Sequence, residues 1–131
     1  MAASVAMFTL LVDDYDRGIA FYRDALGLAL LEDTDMGGGK RWVVLSGPRG
    51  GRLLLAKAVG ERQQGAIGNQ AGGRVGFFME TEDFAHDHAA FVAKGVTFRE
   101  APRYEPYGTV AVFEDPFGNT WDLIEPKRPE V

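Results

Sequence analysis

The chain repeats itself. Residues 42–56 read WVVLSGPRGGRLLLA and residues 110–124 read VAVFEDPFGNTWDLI. At an offset of 68 these segments match Pro48 to Pro116 and Gly50 to Gly118, with an apolar run on either side. Upstream, VDDYDRGIAFYRDALGL (12–28) echoes TEDFAHDHAAFVAKGV (81–96), setting Asp14 over Asp83, Tyr15 over Phe84 and Tyr22 over Phe91. One residue is lost before Gly27 and Gly95 are matched. A duplicated module predicts two similar substructures, and it lets each position be read against its twin.

The pattern within each copy predicts βαβββ. In the first, VAMFTLLV (5–12) is a short apolar run ending at Asp13 and Asp14, a buried strand followed by helix-capping residues. Tyr15, Ile19, Tyr22 and Leu26 form one apolar stripe, predicting a helix over 14–26 that Gly27 ends. LALLED (28–33) is a strand, DMGGGK (35–40) a flexible turn, and RWVVL (41–45) with RLLLAK (52–57) a hairpin around SGPRGG. In the second copy RVGFFME (74–80), a helix over 83–94, VTFRE (96–100), TVAVFED (109–115) and TWDLIE (120–125) repeat the order. The expected fold is α+β: module one over 5–57, a Gly/Gln/Asn-rich linker over 58–72, and module two over 73–126. Each module is too small to close a core well alone, so the two sheets are expected to share one as a curled mixed sheet forming an open barrel-like cup.

Bulk properties narrow the function. The chain has 131 residues, 46% of them hydrophobic, no cysteine and a net charge of −5. No apolar run approaches the roughly 20 residues that span a bilayer. The start, MAASVAMFTLLVDD, lacks a basic n-region, so a cytoplasmic setting without a signal peptide is expected. Without cysteine there is no disulfide, thiolate zinc site or thiol nucleophile. The acidic balance argues against nucleic acid, whose phosphates call for a basic patch.

The repeat, the entry VDDYDRGIAFYRDALGL and the terminal FEDPFGNTWDLIEP together resemble the vicinal oxygen chelate superfamily, the glyoxalase I, bleomycin-resistance and extradiol-dioxygenase group. The resemblance runs from Val5 to Pro126. It implies curled sheets, sites completed in many members by a second subunit, and hence a homodimer. It also implies four metal-ligand positions, which carry over to Met7, Leu54, Arg74 and Asp122. Leu54 and Asp122 are twins at offset 68, and Met7 with Arg74 are read as near-twins. Only Asp122 can ligate a divalent ion; Met7 and Leu54 offer no hard donor and Arg74 a fixed positive charge. No cofactor is therefore expected, and a divalent metal is disfavoured. His86 and His88 do not restore the site, since i, i+2 positions on a helix lie about 200° apart.

Arg74 and Asp122 are instead expected to face each other as an ion pair, either holding the sheets together or clamping an anionic ligand. A second cluster, PRYEPYG (102–108), carries Arg103, Tyr104, Glu105 and Tyr107, with Arg41 and Trp42 as its counterpart in module one. Arg103, Tyr104, Tyr107, Arg41 and Trp42, with Arg74, Phe78 and the linker's Gln70, make up the expected ligand-binding set, while Asn69 and Gln70 also suit a turn. DPFGN reads as a structural turn. The resulting expectation is a metal-independent protein that binds a small anionic or aromatic organic molecule. Two alternatives stay open. One is a glyoxalase-type lyase or isomerase using Asp122 or Glu105 as the proton-transfer base; the other is a protein that sequesters a toxic compound without chemistry. Dioxygenase activity is disfavoured because it needs a redox metal.

Overall fold

A computed structural model describes residues 2–128. Its contacts divide the chain into two compact units, Met1–Ile67 and Gly68–Val131. The first unit runs β1 (Phe8–Val12), α1 (Tyr15–Ile19, continuing as a π-helix over Ala20–Ala25), β2 (Ala29–Gly37), β3 (Lys40–Gly47), β4 (Gly50–Lys57) and α2 (Gly60–Ala66). Its sheet has the order β1-β4-β3-β2, with β1 and β4 parallel and the other pairs antiparallel. The second unit runs β5 (Phe77–Glu80), α3 (Phe84–Ala93), β6 (Thr97–Phe98), β7 (Arg103–Glu105), β8 (Gly108–Glu114) and β9 (Thr120–Pro126). Its sheet has the order β5-β9-β8-β6, and β7 also pairs with β8. Both are mixed sheets of βαβββ connectivity, as the repeat predicts.

The capping aspartates act as their residue type dictates. Asp14 accepts a hydrogen bond from the Arg17 amide at 3.0 Å and Asp83 from the His86 amide at 3.1 Å, satisfying amides that the first helical turn leaves free. Tyr15, Ile19, Tyr22 and Leu26 are all buried, and they cover a core of Leu10, Val12, Val43, Leu45, Leu53 and Leu55. In the second unit Phe84 and Phe91 are buried, while His88 stacks between Phe84 and Phe98 at 5.4 and 4.2 Å. His86 is exposed.

Three features differ from the sequence expectation. First, the helix over 14–26 is not α throughout. Twin positions lie 69 apart from Asp14/Asp83 to Tyr22/Phe91 and 68 apart at Gly27/Gly95, so module one carries one extra residue between them. The π-helix sits at that place, with the Leu26 amide bonding back to Phe21 at 3.0 Å, five residues earlier. A single inserted residue is absorbed as a π turn without shifting the stripe before it or the strand after it.

Second, the expected strand over 96–100 is cut short. β6 and β7 lie end to end along the same edge of β8, and the register slips by two residues between Phe98↔Phe113 and Arg103↔Val110. Ala101 and Pro102 fall in that break, and proline cannot donate to a ladder. Glu100 repairs it: its Oε2 accepts the Val112 amide at 2.9 Å. The PRYEPYG segment (102–108) consequently forms β7 and the turn into β8, a hairpin.

Third, the expected linker over 58–72 is not a plain connector. It contains α2, whose start is capped where Gln63 Oε1 accepts the Val59 amide at 2.8 Å. The unit boundary falls just after it, at Ile67/Gly68. The β8–β9 turn follows the DPFGN reading. Asp115, buried, accepts hydrogen bonds from the Phe117 and Asn119 amides at 2.9 and 2.8 Å and from Asn119 Nδ2 at 2.8 Å. Among the described residues no helix is long and apolar enough to cross a membrane.

Candidate functional site

The chemistry concentrates on one face of the second sheet. Side chains alternate along a strand. Trp121 and Leu123 point toward α3, where Phe113 bridges Phe91 and Trp121 with ring centroids 5.7 and 6.0 Å away. Asp122 therefore points to the opposite face. Its register neighbours are Phe78 on β5 and Val112 on β8. Asp122 Oδ1 is buried and has no hydrogen-bond partner among the described residues. Burial pushes the Asp122 carboxyl above its ordinary range; Arg103 pulls it down and Glu100 pushes it further up. Phe78, beside it, is 66% exposed.

Arg103 reaches this face from β7 and is held by three side chains. Its Nε donates to Glu100 Oε1 at 2.7 Å, its Nη1 to Glu105 Oε1 at 3.0 Å, and Tyr107 also hydrogen-bonds it. These partners hold it protonated well above its usual range. Glu105, one of the two expected bases, thus serves to hold Arg103. Tyr104 projects to the other side of β7 and is 82% exposed. It lines a cavity of about 500 Å³ together with Glu105, Thr109, Glu82, Glu125 and Lys127.

The expected Arg74–Asp122 ion pair does not form. Arg74 is exposed in the turn before β5 and makes no ion pair among the described residues. The pairing of Met7 with Arg74 is out of register by two residues. β1 begins at Phe8 and β5 at Phe77, 69 apart, like Asp14 and Asp83, so the twin of Met7 is Gly76. The repeat contains that signal. Gln70 is likewise exposed in the turn that leads to Arg74.

In the first unit Arg41 is engaged within the fold. It forks onto Asp33 at 3.1 and 2.7 Å, bonds Asp16 at 2.9 Å, and lies 5.2 Å above the Tyr15 ring. Its amide donates to the Tyr15 hydroxyl at 3.1 Å. These contacts staple the β2–β3 hairpin to α1. Trp42 is half-buried beside Thr34, and Leu54 sits in register with Thr9 and Val44. Met7 immediately precedes β1.

A divalent ion does not fit either donor set. The register partners of Leu54 are Thr9 and Val44, neither a divalent-ion ligand of the kind required. Asp122 stands between Phe78 and Val112, and both oxygens of nearby Glu100 are already taken. Divalent cations call for several oxygen or imidazole ligands. Among the described residues no three histidine, aspartate or glutamate side chains gather to supply them. Glu100 is the residue that sequence reasoning missed. Its role depends on the strand break, to which only Pro102 gives a sequence signal.

Comparison with known proteins agrees with the architecture. The family model of the glyoxalase/bleomycin resistance protein/dioxygenase superfamily matches residues 4–123. The chain belongs to that superfamily. An uncharacterized protein of Shewanella frigidimarina is 47% identical over 128 residues, covering 95% of both chains. Among solved structures, UcmS2 superposes with a TM-score of 0.80 at 27% identity, over 95% of this chain and 98% of that one. TnmS3, an antibiotic binding protein from Streptomyces sp. CB03234, superposes with a TM-score of 0.78 at 28% identity, over 97% and 99%. The superfamily match ends one residue past Asp122, so the half of β9 that presents that carboxylate lies inside it.

Proposed function

We propose that this superfamily member binds a small planar organic molecule that donates a hydrogen bond to Asp122 and stacks on Phe78, without a metal. The observation that carries the reading is the buried, unpartnered Oδ1 of Asp122. An unsatisfied buried acceptor costs the fold free energy, and such groups persist where something else completes them. The exposed ring of Phe78 in register beside it supplies an apolar platform. The likeness to TnmS3, an antibiotic binding protein, supports a ligand of the same general kind.

The charges favour one ligand polarity. Arg103 and Arg41 are both occupied by carboxylates, so neither is free to hold an anion. Asp122, Glu100 and Glu105 surround the Arg103 cation on this face. A neutral or cationic aromatic bearing a hydroxyl or amine suits it better than an anionic ligand. In a thermal-shift panel of phenols, aromatic amines and matched benzoates, the donor-bearing neutral or cationic compounds should raise the melting temperature and return unchanged by mass spectrometry. Binding restricted to benzoates would overturn the reading.

The raised proton affinity of Asp122 favours one second reading, a lyase or isomerase with this carboxylate as the base. Conversion of a bound panel compound, abolished in Asp122→Asn, would select it. The same proposal includes a homodimer. Its support is the apolar surface of the first unit, where Val5, Phe8 and Val59 are 78%, 67% and 75% exposed. Light scattering on the eluted protein should give twice the 14.3 kDa chain mass; a monomer would remove this part.

A further inference from the structure

The turn that carries Arg74 forms a small cavity of its own. Its volume is about 130 Å³, and its walls include Gly68, Gly73, Arg74, Gly76, Arg99 and Asn119. All lie in the second unit, where the 68–76 segment runs along the β8–β9 turn. Two glycines are dictated by close approach. A Cβ on Gly68, whose φ is +72°, would fall on the carbonyl of Phe117, and one on Gly76 would meet the Ala71 Cβ at 2.8 Å. These two glycines let the 68–76 segment pack closely on itself and on the β8–β9 turn, and that packing shapes the hollow.

The charges in this cavity are unbalanced. Arg99 is held by Glu114, with Nε and Nη2 each 2.9 Å from Oε2. Asn119 Nδ2 is spent on Asp115. The Arg74 guanidinium has neither ion pair nor hydrogen bond among the described residues, although its own carbonyl accepts from Thr120. Among those residues the amide of Gly73 is also without a partner, while those of Gly72, Arg74 and Gly76 are bonded within the turn or to Thr120. A chain with five net negative charges thus leaves an uncompensated guanidinium at a glycine-walled hollow.

We propose that this hollow is a binding site for a small oxyanion, a phosphate group or carboxylate, gripped by Arg74 and assisted by the Gly73 amide. The volume equals the liquid share of about four waters, which suits a single oxyanion group. A guanidinium presents a planar fork that matches two anion oxygens, and exposed backbone amides in a left-handed turn add donors. The site is distinct from the Asp122 face, and it restores to Arg74 the anion-holding chemistry its residue type suggests at a different place in the fold.

The test is a titration of the full ¹⁵N-labelled chain with sodium phosphate, and separately with sodium acetate, at constant ionic strength. The amide signals of Gly73 and Gly76 should shift and saturate with at least one anion, while those of Gly38 and Gly39 in the first unit stay put. Arg74→Gln should weaken that binding about tenfold, the effect of losing one charge-assisted contact, and Arg74→Lys should weaken it less. Because Arg74 is exposed, the same spectra show that the variants fold. Shifts that stay linear with both anions, or an affinity unchanged in Arg74→Gln, would overturn the proposal.

Discussion

Replacing Asp122 by leucine should give a protein that melts higher at pH 7 and binds its aromatic ligand at least tenfold more weakly. The two effects have one cause. Oδ1 is buried with no donor, so the folded chain bears a desolvation penalty that the unfolded chain does not. Module one carries Leu54 at the twin position, so leucine is compatible with this strand geometry. Removing an unsatisfied buried polar group is worth about 1 kcal/mol, or roughly 3 °C for a domain of this size. Losing a charge-assisted hydrogen bond to the ligand costs about 1.5–3 kcal/mol in binding, which is the tenfold loss or more.

The pH dependence follows from the same burial. The folded-state pKa of Asp122 lies above its ordinary value of 3.8, so the native state takes up its proton first as pH falls. Between the raised native value and 3.8 the folded chain binds more protons than the unfolded one, and this group's contribution to stability rises on acidification. The advantage of Asp122→Leu should therefore be largest at neutral pH and shrink toward about pH 4. Urea unfolding of both proteins at pH 7 and pH 5 measures it. A variant less stable than the parent at pH 7 would mean that the carboxylate is satisfied in solution and holds the sheet together.

Much of this structure is readable from the repeat because the module is specified redundantly. Asp14 and Asp83 announce helix starts by side-chain chemistry that needs only the local backbone. The stripe Tyr15, Ile19, Tyr22 and Leu26 announces a buried face by spacing alone. What escapes depends on contacts between segments. The pairing of Arg41 with Asp16 and Asp33 joins residues 25 and 8 positions away, and nothing in KRW signals that this guanidinium is already paired. Arg103 looks like a free ligand clamp in PRYEPYG until the strand break brings Glu100 under it. Arg74 lands in the wrong place because the one-residue correction to the offset of 68 runs the other way upstream of the π turn.

The candidate site is legible to a lesser degree. Asp122 stands out as the one carboxylate among the four ligand positions, and it proves to be the group whose buried oxygen has no partner among the described residues. Its neighbours are harder to name, because strand register decides them. The pairing Phe78↔Asp122 replaces a charged partner with an aromatic ring. That single exchange turns an expected ion-pair site into one with an acceptor and an apolar platform, and it changes the ligand polarity that the face favours.

The largest loss of stability should come from Phe113→Ala. Phe113 is fully buried on the central strand β8, with ring contacts to Phe91 at 5.7 Å, Phe98 at 5.6 Å and Trp121 at 6.0 Å. It joins α3, the edge strand and β9, so no one neighbour can move to fill its place. Truncating a phenylalanine in such a setting costs about 3–5 kcal/mol. Phe113→Leu should cost far less, roughly 1–1.5 kcal/mol, because volume and apolar character are largely kept. The twin position supports this: module one uses Leu45 there, also fully buried. Urea midpoints for the two variants separate the cases, and equal losses would show that the aromatic contacts and not the filled volume matter. The same strand carries Val112, whose amide fixes Glu100, and Glu100 in turn fixes Arg103 beside Asp122. Phe113→Ala should therefore also weaken ligand binding in whatever fraction stays folded, whereas Phe113→Leu should leave affinity unchanged, since it preserves the packing that holds β8 against β9.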